Sequence, residues 1–195
     1  MMWDDDKIFK GCCQGRRKAQ AALYEKYASS MRAVCRRYLG MRPESEDVLH
    51  DALIKALGKM SQFKQKGSLE GWLKRIAMTT SLDYLNKQKH VVSNSQTLSL
   101  EIEETKAEEE EEDVGFMTDL KKHNIGSKEI FFAMDNLPDG YRAILNMYVV
   151  DNIRHKEIAK RMGISVNTSK SQLSRARKLL KKNISDMMKG EKHVR

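Results

Sequence analysis

The stretch RHKEIAKRMGISVNTSKSQLSRARKLL, Arg154 to Leu180, decides the fold of the C-terminal part of this chain. His155 to Met162 has helical periodicity, with Ile158, Ala159 and Met162 turned inward. Ala159 is small, which suits close contact between two helices. Gly163 tolerates the left-handed conformation that ends a helix. Ile164 plugs the turn into a core, and Ser165 is a natural N-cap for a second helix from Val166. Two helices joined by so short a turn form a helix-turn-helix, the arrangement that lets a second helix enter a DNA major groove.

The second helix divides into two faces. Val166, Leu173, Ala176, Leu179 and Leu180 fall near one side. Asn167, Thr168, Lys170, Ser171, Arg175, Arg177 and Lys178 make up the rest. Short polar groups and the helix dipole in the first turn suit phosphate or base edges. The Lys and Arg of the following turns suit phosphate neutralisation and, for Arg, guanine. A plain amphipathic helix with a solvated basic face explains the cations alone. Ala159, Gly163 and Ser165 at these offsets favour DNA recognition.

Working outward, further helices are predicted over Lys128 to Asn136 and Gly140 to Val150, broken at Leu137-Pro138. The N-terminal part reads as four helices. A short one covers Asp5 to Gln14. The next, Ala19 to Leu39, places Leu23, Tyr27, Met31, Val34 and Tyr38 at helical spacing and ends at Gly40 and Pro43. The third starts near Glu44, whose acidic neighbours suit a helix N-terminus. It carries an apolar stripe of Leu49, Leu53, Ala56 and Met60, widened by Val48 and Ala52. After a polar loop, the fourth runs from Leu69 to Lys89 with Trp72, Ile76, Leu82 and Leu85 apolar. Few windows alternate at period two, and the only prolines are Pro43 and Pro138, so the fold class is all-α.

Charge divides the chain further. The net charge is +9, with about +8 on residues 1–96, about −8 on 97–113 and about +9 on 114–195. Two basic bodies joined by an acidic connector favour a polyanionic partner, nucleic acid before membrane. The domains expected are therefore 1–92, a linker over 93–126, and 127–195. The run Glu108 to Glu112 repels itself and is expected to be extended or disordered.

Other classes find little support. Cys12, Cys13 and Cys35 have no metal-site spacing, and the five histidines are scattered. No Gly-rich phosphate loop, metal cluster or nucleophile–base pair stands out, so neither an enzyme nor a cofactor is expected. Met1 to Lys10 is mixed and acidic, unlike a signal peptide, and no apolar run approaches a bilayer span. The expected compartment is the reducing cytoplasm. The adjacent Cys12-Cys13 pair reads either as redox-sensitive or as inert buried thiols.

At this point the sequence resembles the sigma-70 superfamily, specifically its small extracytoplasmic-function members. The C-terminal resemblance runs from Leu137-Pro138 to Lys182. It is densest at Glu157-Ile158-Ala159, Met162-Gly163-Ile164-Ser165, Thr168, Lys170-Ser171 and Ser174-Arg175-Ala176-Arg177-Lys178-Leu179. In the family this region binds the −35 promoter element and the flap of the polymerase β subunit. The segment Glu46 to Ala56 is similar to the family's core-binding helix, which docks on the clamp helices of the β′ subunit. That similarity implies Asp47, Val48, His50, Asp51 and Ile54 as docking residues. Residues 71–77 with Asp83-Tyr84-Leu85 resemble the −10 recognition helix, and Phe63 to Glu70 the loop that captures a flipped base.

The −10 residues so implied are Lys64, Lys66, Ser68, Trp72, Lys74, Arg75 and Thr79. Thr79 stands where asparagine is common and His50 where glutamine is usual. Read from the residues alone, Trp72 is either a stacking platform or a core side chain. The resemblance implies a factor that binds core RNA polymerase and promoter DNA, recognises both elements and promotes opening. It also implies an anti-sigma partner and a connector that threads toward the RNA exit channel. A stand-alone helix-turn-helix regulator is the alternative. It accounts for Arg154 to Leu180 but not for the Asp47–Asp51 helix or the Trp72 segment.

Overall fold

The computed structural model describes residues 3–93 and 126–191. The acidic connector, including Glu108 to Glu112, lies outside the described residues. The described residues are helical without a strand, as the all-α reading required. The chain divides into two compact units, Met1–His90 and Val91–Arg195.

In the first unit, α1 spans Asp5–Cys13 and is capped by Asp4, whose carboxylate accepts from the Lys7 amide at 2.8 Å. The second helix, α2, spans Arg17–Leu39 and ends at Gly40, where φ is 77°. Its predicted stripe of Leu23, Tyr27, Met31, Val34 and Tyr38 is buried throughout. The third helix, α3, spans Glu44–Gly58, with Glu44, Glu46 and Asp47 in its first turn. Each large side chain sequestered here stabilises the unit by about 1.5–3 kcal/mol.

Two details depart from the periodicity. α3 stops at Gly58, and Met60 reaches the core from a separate 3₁₀ turn, Met60–Gln62. The fourth helix, α4, spans Leu69–Ser93. Its core positions are Leu73, Ala77, Leu82 and Leu85, whereas Trp72 and Ile76 are only half-buried. They flank the buried stripe instead of forming it.

In the second unit, α5 (Ser127–Asp135) and α6 (Asp139–Leu145) meet at Leu137-Pro138. Arg142 holds this corner. It is buried, donates to the carbonyls of Asp135 at 3.0 Å and Leu137 at 3.3 Å, and pairs with Asp139. The predicted single helix from Gly140 to Val150 is in fact α6 followed by a wider π turn, Asn146–Val150. The buried Asn146 amide donates back to the Arg142 carbonyl at 2.9 Å, and the Asp151 amide reaches the Asn146 carbonyl five residues back at 3.0 Å. A side chain competing for the backbone ladder in this way widens a turn.

The helix-turn-helix then follows as α7 (His155–Met162) and α8 (Val166–Glu191). Gly163 has φ 65° and ψ 35°, the left-handed helix end anticipated for it. The Ser165 hydroxyl accepts from the Thr168 amide at 2.9 Å, as an N-cap should.

Candidate polymerase and nucleic-acid interfaces

On α3, the acidic first turn and the apolar stripe leave one face to solvent. Asp47, His50, Asp51 and Ile54 are all exposed, Ile54 to 69%. Their spacing of i, i+3, i+4 and i+7 makes them neighbours. Val48 is a correction. It is 2% exposed and belongs to the core. It lies on the buried side of the helix, apart from the four exposed residues.

The sequence reading gave Glu46 a place at the α3 N-terminus but not its ion pairs. Its carboxylate accepts from Arg32 Nε at 3.0 and 2.9 Å and from Arg36 at 3.0 Å, tying α3 to α2. The two guanidinium groups, Arg32 first, hold this carboxyl below the usual carboxylate range. Arg32, Arg36 and Glu46 lie apart in sequence, so local spacing gave no sign of the pair. Lys55 joins α3 to α4 through Asp83 at 3.3 Å.

The loop before α4 is built for exposure. Gln65 (φ 54°) and Gly67 (φ 97°) are both left-handed, and Lys64, Lys66 and Ser68 are exposed around them. Ser68 also caps α4, its hydroxyl accepting from the Gly71 amide at 3.1 Å. Lys74, Arg75 and Thr79 are exposed along the helix. Lys74 pairs with Glu70 at 2.7 Å, and the Thr79 hydroxyl donates to the Arg75 carbonyl at 2.9 Å.

Trp72 packs on Phe63 with ring centroids 5.4 Å apart, and Phe63 meets Phe9 edge-on at 5.8 Å. Trp72 is therefore half in the core and half out, combining the two readings left open for it. These −10 candidates lie on the loop before α4 and along its first three turns, all exposed but Trp72.

In α8, Asn167 and Lys178 are exposed, while Thr168, Lys170, Ser171 and Arg175 are half-buried. Thr168 and Ser171 also serve the helix: the Thr168 and Ser165 hydroxyls share a hydrogen bond at 2.8 Å, and Ser171 donates to the Thr168 carbonyl at 3.1 Å. Arg177 is a second correction. It is 9% exposed, and its guanidinium lies over the Tyr148 ring at 5.5 Å. It packs against Tyr148 and is not on the solvent side of the helix, where it was expected. Val166, grouped with the apolar side of the helix, is exposed at the helix start.

Ser169, which sequence reasoning passed over, is fully buried and hydrogen-bonded to His155 Nδ1 at 2.9 Å. The thiols divide as well: Cys12 and Cys35 are buried and pushed up to about 11 by desolvation, whereas Cys13 is exposed. Among the described residues, no cluster of His, Cys, Asp or Glu is placed to hold a metal ion. No helix among them is long and apolar enough to cross a membrane.

These two units match known families in the same order. The family model described as Sigma-70 region 2 matches residues 23–91, and that described as Sigma-70, region 4 matches residues 127–180. The ECF RNA polymerase sigma-E factor of Haemophilus influenzae is 26% identical over 188 residues, covering 94% of this chain and 97% of the relative. The ECF RNA polymerase sigma factor SigW of Bacillus subtilis is 26% identical over 187 residues, covering 93% and 97%.

Among solved structures, the sigma factor RpoE of Bartonella quintana, in complex with the anti-sigma factor NepR, aligns with a TM-score of 0.47. That alignment has 19% identity and covers 83% of this chain and 94% of that one.

The chain belongs to the sigma-70 family, within its extracytoplasmic-function group. It is an RNA polymerase sigma factor acting in transcription initiation.

Proposed function

We propose that the chain divides its work between residues 1–92 and 127–195. In this reading the exposed α3 face of Asp47, His50, Asp51 and Ile54 docks on the β′ clamp helices of core polymerase. Lys64, Lys66, Ser68, Trp72, Lys74, Arg75 and Thr79 engage the −10 element. Asn167, Thr168, Lys170, Ser171, Arg175 and Lys178 engage the −35 element, and the second unit also meets the β flap. No chemical step is assigned to this chain, since nucleotide transfer belongs to the polymerase. In this reading an anti-sigma factor is among the partners and the protein works in the cytoplasm, as the family resemblance implies.

The observation that carries the reading is the division of α3. Two acids, a histidine and a largely exposed isoleucine face outward, while Val48, Leu49 and Ala52 are sealed inward. A mixed acidic and apolar surface suits a basic protein partner better than DNA. Promoter opening without a nucleotide-hydrolysis motif draws on binding energy. Unstacking costs a few kcal/mol per step, and each captured base returns about 1–3 kcal/mol.

The test is size-exclusion co-elution of the purified protein with bacterial core polymerase, beside an Asp47→Lys/Asp51→Lys variant. Co-elution of the wild type and its loss in a folded variant are expected. Equal retention of both proteins removes the α3 face from the interface.

A further inference from the structure

We infer that His155 is a positioning residue for promoter reading: through Ser169 and Tyr148 it fixes the rotation of α8, and so decides which of its side chains meet base edges. The inference rests on the proposed −35 role of α8. Neither His155 nor Ser169 is itself assigned a contact with DNA.

The geometry begins with α7. His155 opens this helix, and its ring lies on that of Tyr148, in the π turn, with centroids 4.6 Å apart and planes 26° apart. A stacked ring has little freedom to swing. Its Nδ1 is thereby aimed at one point of α8, the Ser169 hydroxyl, at 2.9 Å. Ser169 is fully buried, so no water competes for that bond at the α8 side.

The same Tyr148 ring holds α8 a second time, under the Arg177 guanidinium at 5.5 Å. Ser169 and Arg177 are eight residues apart, about 12 Å along the axis at 1.5 Å per residue. Two holds at that separation fix both the turn of the helix about its axis and its tilt.

In the proposed −35 role, the opposite side of α8 is the one that faces a groove. At 100° per residue, Asn167, Ser171, Ser174 and Lys178 lie about 140° to 200° around the helix from Ser169. Whatever sets the angle of Ser169 therefore sets the angle of these four. A helix with side chains has a radius of 5–6 Å, so a rotation of about 20° moves their tips by about 2 Å. That shift breaks a hydrogen bond to a base edge, which weakens steeply with distance and angle. Contacts to phosphate are more forgiving, because a lysine re-extends to follow the charge. Loss of the His155 hold therefore reduces sequence discrimination more than overall DNA affinity.

The test uses holoenzyme reconstituted from core polymerase and the full chain, selecting from promoter DNA randomised across the −35 region. The proteins are wild type, Ser169→Ala, His155→Ala and His155→Asn, each with its thermal melt recorded. Asn places a polar atom near the position of Nδ1. The wild type is expected to select a defined −35 sequence. Ser169→Ala and His155→Ala are expected to lower the preference for it over the pool average by about three- to tenfold, in the same positions, with non-specific binding unchanged. His155→Asn is expected to restore most of it.

An unchanged selection in a folded Ser169→Ala protein overturns the inference, whether or not His155→Ala folds. A loss of preference that tracks only a fall in melting temperature, without recovery by His155→Asn, also overturns it. If the wild type selects no −35 sequence while still initiating, the −35 role of α8 fails, and the inference fails with it.

Discussion

Arg32 on α2 and Glu46 on α3 form a two-oxygen ion pair, with Arg32 Nε 3.0 and 2.9 Å from the carboxylate oxygens. Arg36 adds a third contact at 3.0 Å from the next turn of α2. The pair lies one residue before Asp47, so it fixes the start of the exposed α3 face. Glu46 has a folded pKa below its ordinary value of 4.5, with Arg32 the main cause. A depressed carboxylate contributes stability above its unfolded pKa and loses that contribution as pH falls through its folded one. Glu46→Gln should therefore melt below the wild type by a constant margin from pH 8 to pH 5. The margin should close as the pH drops below about 4.5. Because the pair is partly exposed, the margin should be small and should narrow in high salt. Thermal melts across pH check this, and a margin independent of pH contradicts the pairing.

Val48 and Ile54 share a helix and a chemical type but have opposite surroundings. Val48→Ala removes two buried methyl groups and should lower stability by about 2 kcal/mol, from lost transfer energy plus a cavity. Ile54→Asp changes a side chain that is 69% exposed and should leave denaturant unfolding nearly untouched. It should instead weaken binding to core polymerase by tenfold or more, since an exposed apolar anchor at an interface centre carries disproportionate energy. Paired urea titrations and polymerase binding curves separate the two. If Ile54→Asp binds core normally, Ile54 is not part of the docking face.

These two residues also mark where the sequence was legible. Periodicity alone placed Val48, Leu49, Leu53 and Ala56 on one apolar stripe, and all four are buried. Helix starts and stops at Gly40, Pro43, Gly163 and Ser165 were equally readable, because caps are local chemistry. Val48 became a docking residue only through the family resemblance, against its own place in the stripe, and the packing reverses that. Arg177 was hidden for another reason. A cation on a basic helix reads as solvent-facing, and only the tertiary approach of Tyr148 makes a buried site for it. The Arg32–Glu46 pair and the His155–Ser169 bond each join residues 14 apart on separate helices, a distance at which spacing carries no signal. The π turn at Asn146 depended on a buried side-chain amide that periodicity does not register.

Trp72 touches both core and solvent, so its substitution should have two separable effects. Packing on Phe63 at 5.4 Å gives it a structural share, and its half-exposed position beside Arg75 gives it a nucleic-acid share. Losing one stacked base costs about 1–3 kcal/mol, or roughly fivefold to a hundredfold in the stability of the open complex. Trp72→Ala should therefore reduce open-complex formation well beyond any reduction in core binding. Permanganate footprinting of the melted promoter, set beside co-elution with core, measures both. Equal losses in the two assays identify Trp72 as mainly structural.

Arg177 and Lys178 are adjacent in sequence and should behave as opposites. Lys178 is exposed on the side of α8 away from Ser169, whereas Arg177 is 9% exposed over Tyr148. Each phosphate neutralised by a cation contributes about one to the slope of log affinity against log salt. Lys178→Ala should flatten that slope by about one for the holoenzyme on promoter DNA while leaving the melting temperature alone. Arg177→Ala removes a cation that packs on an aromatic ring and should lower the melting temperature of the second unit, with the slope unchanged. The two slopes and two melts, measured on the same promoter, decide the matter. A flattened slope for Arg177→Ala at an unchanged melting temperature returns Arg177 to the DNA face and contradicts its burial against Tyr148.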